Sequence, residues 1–126
     1  MTSTLRLLYV EDDHNIAKGM IRWFENRGCE VTHVASSARA VHNMRKPKED
    51  SDPPLFDLVL TDWNLIGGDR GKDVVVEARA QNLLVRVYSG NGFDPSEHPS
   101  DMKDIWLVKS EFEGIEAFLR LVRGVP

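Results

Sequence analysis

Cys29 is the only cysteine in the chain, so no internal disulfide can staple the fold, and a reducing compartment is expected. No run approaches the roughly 18 consecutive apolar residues that a membrane span needs. The opening MTSTLRLL lacks a basic region followed by an uninterrupted apolar segment, the mark of a secretory signal. The expected location is therefore the cytoplasm, with no membrane partner. Positive charge is also scarce: 16 Lys and Arg stand against 20 Asp and Glu, for a net charge of −4 with the signs interspersed. Without a basic stripe to neutralise phosphates, direct nucleic-acid binding is not expected. His14, His33, His42 and His98 lack metal-ligand spacing and read as surface or packing residues.

What is present fits one domain over residues 1–126, large enough to bury about two-thirds of the surface its unfolded form would expose. Short runs of apolar and β-branched residues alternate with segments of helical period, the pattern of an α/β domain with a parallel sheet. Strands are expected at Leu5 to Val10, Val31 to Ala35, Leu58 to Thr61, Leu84 to Tyr88 and Ile105 to Val108. Most are nearly continuous apolar runs, as strands covered on both faces should be. Ile16, Met20, Trp23 and Phe24 repeat at helical spacing before Gly28, and Ala38, Val41 and Met44 mark a second helix. A third is expected from Lys72 to Ala80, where packing must offset the poor helix propensity of Val74, Val75 and Val76. A last helix carries Phe112, Ile115, Leu119 and Val122 on one face, behind a Ser110 and Glu113 capping box. RKPKEDSDPP reads as a solvated loop, and residues 90–102, with two prolines and little apolar period, as one short turn of helix or an irregular loop. Right-handed crossovers and this order favour a doubly wound, flavodoxin-like sheet of strand order 2-1-3-4-5 with a reduced fourth helix.

Ligands of such sheets bind beyond the carboxyl ends of the strands. Those ends carry Glu11 and Asp12 in VEDDHN, Asp62 in LVLTDWN, Ser89 in VRVYSG and Lys109 in IWLVKS. Carboxylates a few ångströms apart repel unless a cation neutralises them. Oxygen ligands point to Mg²⁺, with Mn²⁺ as a possible substitute. Mg²⁺ keeps coordination positions for water and phosphate oxygens, and a carboxylate in such a setting can be a nucleophile. Each residue taken singly has a blander reading. Asp12 or Asp13 can cap a helix, Asp62 and Ser89 can begin turns, Lys109 can snorkel, and Trp106 can be core packing. Five such residues in this chain order are hard to obtain by chance.

With these residues in place the chain resembles the receiver domain of two-component response regulators, over nearly its full length. The resemblance implies that Asp62 is the phosphoacceptor of a phosphorelay. It also implies that Asp12 is a direct metal ligand, Glu11 a second acid acting largely through water, and the backbone carbonyl of Asn64 a further ligand. Ser89 would hydrogen-bond a phosphoryl oxygen, Lys109 would stabilise charge in transfer, and Trp106 matches an aromatic switch position. Gly90 would leave access open for water or a partner. The implied partners are a histidine kinase or histidine phosphotransfer protein and a downstream effector. The domain would be a signalling switch that catalyses only its own phosphorylation and dephosphorylation, acting alone or within a longer protein. Asp13 is expected to cap the first helix or face solvent.

Several features depart from the pattern. Receivers usually carry Lys-Pro with a cis bond, whereas Lys109-Ser110 is expected to be trans. No proline stands four residues after Asp62, and three glycines between 67 and 71 suggest a mobile loop. A weak fourth helix removes part of a surface many receivers signal through, so output through the first or last helix, or onward phosphate transfer, is expected instead. Two other readings compete. One is a phosphorylation-independent binding module. The other is a Mg²⁺-dependent phosphatase or Toprim-like nuclease, whose expected Asp-x-Asp is absent because residue 64 is Asn.

Overall fold

The computed structural model describes residues 4–46, 55–65, 71–109 and 112–123. Five strands form one parallel sheet: β1 (Leu5–Val10), β2 (Cys29–Val34), β3 (Leu58–Thr61), β4 (Leu84–Ser89) and β5 (Trp106–Val108). Their order is β2-β1-β3-β4-β5, with every pair parallel, as expected of the doubly wound class. Among the described residues four α-helices accompany them: α1 (His14–Glu25), α2 (Ser37–Met44), α3 (Gly71–Ala80) and α4 (Phe112–Val122).

Side chains alternate across a strand, so each strand feeds two cores. Leu5, Leu7 and Tyr9 of β1 join Leu58, Leu60 and Tyr88 beneath Ala17 and Phe24 of α1 and Ile115, Phe118 and Leu119 of α4. Leu8 and Val10 join Val59, Val85 and Val87 beneath α2 and α3 on the opposite face. Packing thus decides the valine run of α3: Val74 and Val75 are fully buried, whereas Val76 is 56% exposed. On α1 the expected face packs inward through Met20, Trp23 and Phe24, joined by Ala17, whereas Ile16 is 41% exposed. Gly28 adopts φ +82°, a left-handed conformation that suits glycine, and its carbonyl accepts from the Leu5 N–H.

Three strand limits differ from the sequence reading. β2 runs from Cys29 to Val34, because pairing to β1 begins at Leu5 opposite Cys29 and extends the strand through polar Glu30. β4 continues through Ser89, paired with Val108. β5 starts at Trp106, since Ile105 ends a 3-10 helix, Ser100–Ile105, that crosses from β4 to β5 where an α-helix would otherwise run. Met102 and Ile105 are its buried anchors. The reduced crossover expected from residues 90–102 is therefore present as a 95–97 turn followed by that 3-10 helix. The Lys109-Ser110 bond, the Ser110 cap, the 66–70 glycines and most of the RKPKEDSDPP loop lie outside the described residues.

Register sets up the chemistry. Val10 stands opposite Thr61, Thr61 opposite Val87, and Val87 opposite Trp106. The next residues of β1 and β3, Glu11 and Asp62, therefore leave the sheet side by side. The main chain continues the ladder there, with the Glu11 N–H on the Val34 carbonyl and the Asp62 N–H on the Val10 carbonyl, each at 3.0 Å.

Candidate functional site

Glu11, Asp12 and Asp62 bring one carboxylate oxygen each to within 4.8 Å of one another at this edge. Glu11 is the buried member, 1% exposed, and Asp12 and Asp62 are half-buried. Lys109, just past β5, bridges two of them: its Nζ lies 2.5 Å from Glu11 Oε1 and 3.0 Å from Asp62 Oδ2. Alternation explains the meeting, because Glu11, Asp62 and Lys109 each continue the parity of Tyr9, Leu60 and Leu107, which pack on the α1 and α4 face.

Burial pushes the Glu11 carboxyl above the ordinary carboxylate range; the hydrogen bond and charge of Lys109 pull it back, and Asp62 pushes it up again. Burial works against the Lys109 charge, yet the Glu11 hydrogen bond and the Asp62 charge outweigh it and hold the ammonium above its usual range. With all groups ionised, three carboxylates of the described residues face one ammonium, leaving two negative charges in excess. Hard oxygen donors, close spacing and that excess fit a small divalent cation such as Mg²⁺.

Asp13 does not join the cluster. It is the N-cap of α1, where its Oδ1 accepts from the Asn15 N–H at 2.9 Å and the Ile16 N–H at 3.1 Å, as expected. Asn64 is exposed two residues beyond Asp62. Ser89 is 4% exposed, and its Oγ accepts a long 3.4 Å contact from the Asn91 N–H. Among the described residues nothing lies within 4 Å of where a Cβ on Gly90 would sit, so the rim is open on their side.

Asp62 is held by its neighbours. Its Oδ1 accepts from the Trp63 N–H at 2.7 Å, and its carbonyl accepts from the Thr61 hydroxyl at 2.8 Å. Behind it, the Gly71 N–H donates to the Trp63 carbonyl at 2.8 Å.

Trp106 is half-buried within a group of rings. His98 stacks on it at 4.2 Å between centroids, Trp63 lies at 5.4 Å and Phe93 at 5.8 Å. Trp106 Nε1 donates to the Asn91 carbonyl at 2.8 Å, and the Asp94 N–H donates to His98 Nδ1 at 2.9 Å. Sequence reasoning singled out Trp106 but not this group, because nothing in the spacing of Phe93 and His98 marks a common ring contact. Tyr9 was missed as well. Its side chain is 1% exposed, and its hydroxyl is buried without a hydrogen-bond partner among the described residues. Burial drives its phenol pKa far upward, with the Glu11 charge adding to the effect. An apolar position in a strand run was the only signal that Tyr9 offered.

No protein-family model and no curated protein matches the sequence. Solved structures match its fold throughout. The response regulator receiver domain from Methylobacillus flagellatus aligns with TM-score 0.73 and 22% identity, over 95% of this chain and 99% of that one. The response regulator TrrA from Thermotoga maritima, in complex with Mg²⁺ and BeF, aligns with TM-score 0.77 and 20% identity, over 94% and 99%. The receiver domain of a sensor histidine kinase from Pseudomonas aeruginosa PAO1, with a magnesium ion coordinated in its active-site cleft, gives 0.75 and 19%, over 97% and 99%. At these identities the likeness is one of fold: this chain has the fold of receiver domains, with an acidic cluster at the carboxyl edge of its sheet.

Proposed function

We propose that the chain is a response regulator receiver domain that takes a phosphoryl group onto Asp62 from a phosphohistidine, in a Mg²⁺-dependent reaction, and thereby acts as a switch in two-component signalling. The observation that carries this reading is the bridge of Lys109 between Glu11 and Asp62, with Asp12 in the same cluster. The magnesium complexes of the Thermotoga and Pseudomonas structures support it.

Glu11, Asp12, Asp62 and the Asn64 carbonyl would hold Mg²⁺, which supplies positive charge to phosphoryl oxygens when bound. An Asp62 oxygen attacks phosphorus in line, the P–N bond of the phosphohistidine breaks, and the imidazole leaves with the electron pair. Lys109 exchanges part of its contact with Asp62 for a phosphoryl oxygen, and the Ser89 hydroxyl donates to another. Trp106 then moves inward as Ser89 does. Hydrolysis of the acyl phosphate returns Asp62 to its carboxylate. The domain modifies itself, and its partners are a histidine kinase or phosphotransfer protein and an effector that reads the switched face.

Incubation with Mg²⁺ and a small phosphodonor should give an acid-stable, base-labile adduct that disappears in Asp62→Asn. Asp12→Ala should abolish metal-dependent labelling and Asp13→Ala should leave it mostly intact, because Asp13 serves α1. An unlabelled wild-type chain, with histidine kinases also screened, would favour a phosphorylation-independent binding module.

A further inference from the structure

Tyr88 precedes Ser89 at the end of β4, and its side chain is 1% exposed in the core beneath α1 and α4. A phenol that deep needs a hydrogen bond to offset its desolvation. The Tyr88 hydroxyl makes one, donating to the backbone carbonyl of Lys109 at 3.2 Å. The Lys109 N–H in turn donates to the Ser89 carbonyl at 2.7 Å. Two consecutive residues of β4 thus grip both polar groups of the Lys109 main chain.

That grip matters because the strand that delivers Lys109 is short. The strand has three residues, Trp106–Val108, all half-buried. Serine follows Lys109 in the sequence, so no proline ring restricts the next φ. Past the last rung of the ladder, a residue held only through its N–H can turn about its own φ and ψ and carry the Cα–Cβ direction with it. Lys109 nevertheless delivers its Nζ to Glu11 at 2.5 Å and Asp62 at 3.0 Å.

We propose that Tyr88 is a positioning residue for phosphoryl transfer: its hydroxyl fixes the Lys109 carbonyl, and so aims the Lys109 ammonium at the oxygens that gain charge as Asp62 is phosphorylated. This rests on the reading of Asp62 and Lys109 given above. Tyr88 touches neither reacting atom and acts through Lys109. A preoriented donor is worth more in the transition state than one that must first be ordered.

The test uses the full chain with phosphoramidate and Mg²⁺. Phosphorylation of wild type and Tyr88→Phe is followed at varied Mg²⁺ and phosphoramidate, and urea unfolding of both is measured. Phenylalanine fills the same space and removes only the hydroxyl. The maximal rate should fall about tenfold, the effect of losing one well-placed hydrogen bond, while the half-saturating Mg²⁺ and phosphoramidate concentrations stay as in wild type. An unchanged maximal rate, even with a lowered urea midpoint, would show a structural role only and overturn the proposal. So would a rate loss that saturating Mg²⁺ restores. Wild type that takes no phosphate at all would instead strike the reading of Asp62, a result distinct from wild type and variant reacting alike.

Discussion

At Gly71 the missing side chain is what the site requires. A Cβ there would lie 2.1 Å from the Asp62 carbonyl oxygen and 3.0 Å from Trp63 Cα, both backbone atoms that cannot swing aside. Gly71→Ala must therefore push the first turn of α3 away from the segment that carries Asp62. The expected cost is about 1–3 kcal/mol of stability, as for other overpacked sites. Urea denaturation checks it, and labelling of Asp62 should fall in the same variant. In the sequence the glycines between 67 and 71 read as a source of mobility. A glycine can mean conformational freedom or close approach of two backbones, and only the partner segment tells which. Asp62, Glu11, Asp12 and Lys109 were legible only as a set, because each follows a strand run and none is distinctive alone. Tyr88 was not, because an aromatic inside an apolar run looks the same whether or not its hydroxyl meets a carbonyl far along the chain.

The strands were readable as elements because a parallel sheet covered on both faces writes nearly unbroken apolar runs. Arg6 breaks the first of these, and the reason lies outside the run. Its guanidinium meets Asp57 with Nη2 at 3.0 Å from Oδ1 and Nε at 3.3 Å from Oδ2, while the Arg6 backbone N–H donates to Oδ2 at 2.8 Å. The Asp57 N–H returns a bond to the Arg6 carbonyl, so the pair fastens the entry of β3 to β1. The guanidinium hydrogen bond holds the Asp57 carboxyl below its usual range. A carboxyl whose folded pKa is depressed contributes stability above its unfolded value, and that contribution is lost as pH falls through the ordinary carboxylate range toward the lower folded value. Asp57→Asn should therefore lose about 0.2–1 kcal/mol near neutral pH, since both side chains are partly exposed. Its acid unfolding should be correspondingly less steep, which urea midpoints taken from neutral pH downward would reveal. The reduced crossover between β4 and β5 was legible from its prolines. The limits of β2 were not, because they follow from pairing with β1 and not from hydrophobicity.

For the molecule as a whole, the fold survives at about one-fifth sequence identity to its structural relatives, which is possible because any apolar residue of suitable size serves most core positions. Charge gathers at the carboxyl edge of the sheet. Among the described residues, three carboxylates are concentrated there against one lysine. Binding of Mg²⁺ to the folded state alone should stabilise the whole domain by about 1.4 kcal/mol at tenfold excess over the dissociation constant. Thermal unfolding with Mg²⁺ and with chelator checks this, and Asp12→Ala should remove the difference. Among the described residues no helix is long and apolar enough to cross a membrane.

Trp63 follows Asp62 directly in the chain, and its ring lies 5.4 Å from that of Trp106, on which His98 stacks. Two indoles at that separation couple their electronic transitions, and an imidazole against one of them is a natural quencher. The domain thus carries its own optical gauge beside the carboxylate cluster: a shift of Trp106 relative to Trp63 would register in near-ultraviolet circular dichroism and emission intensity without any attached label.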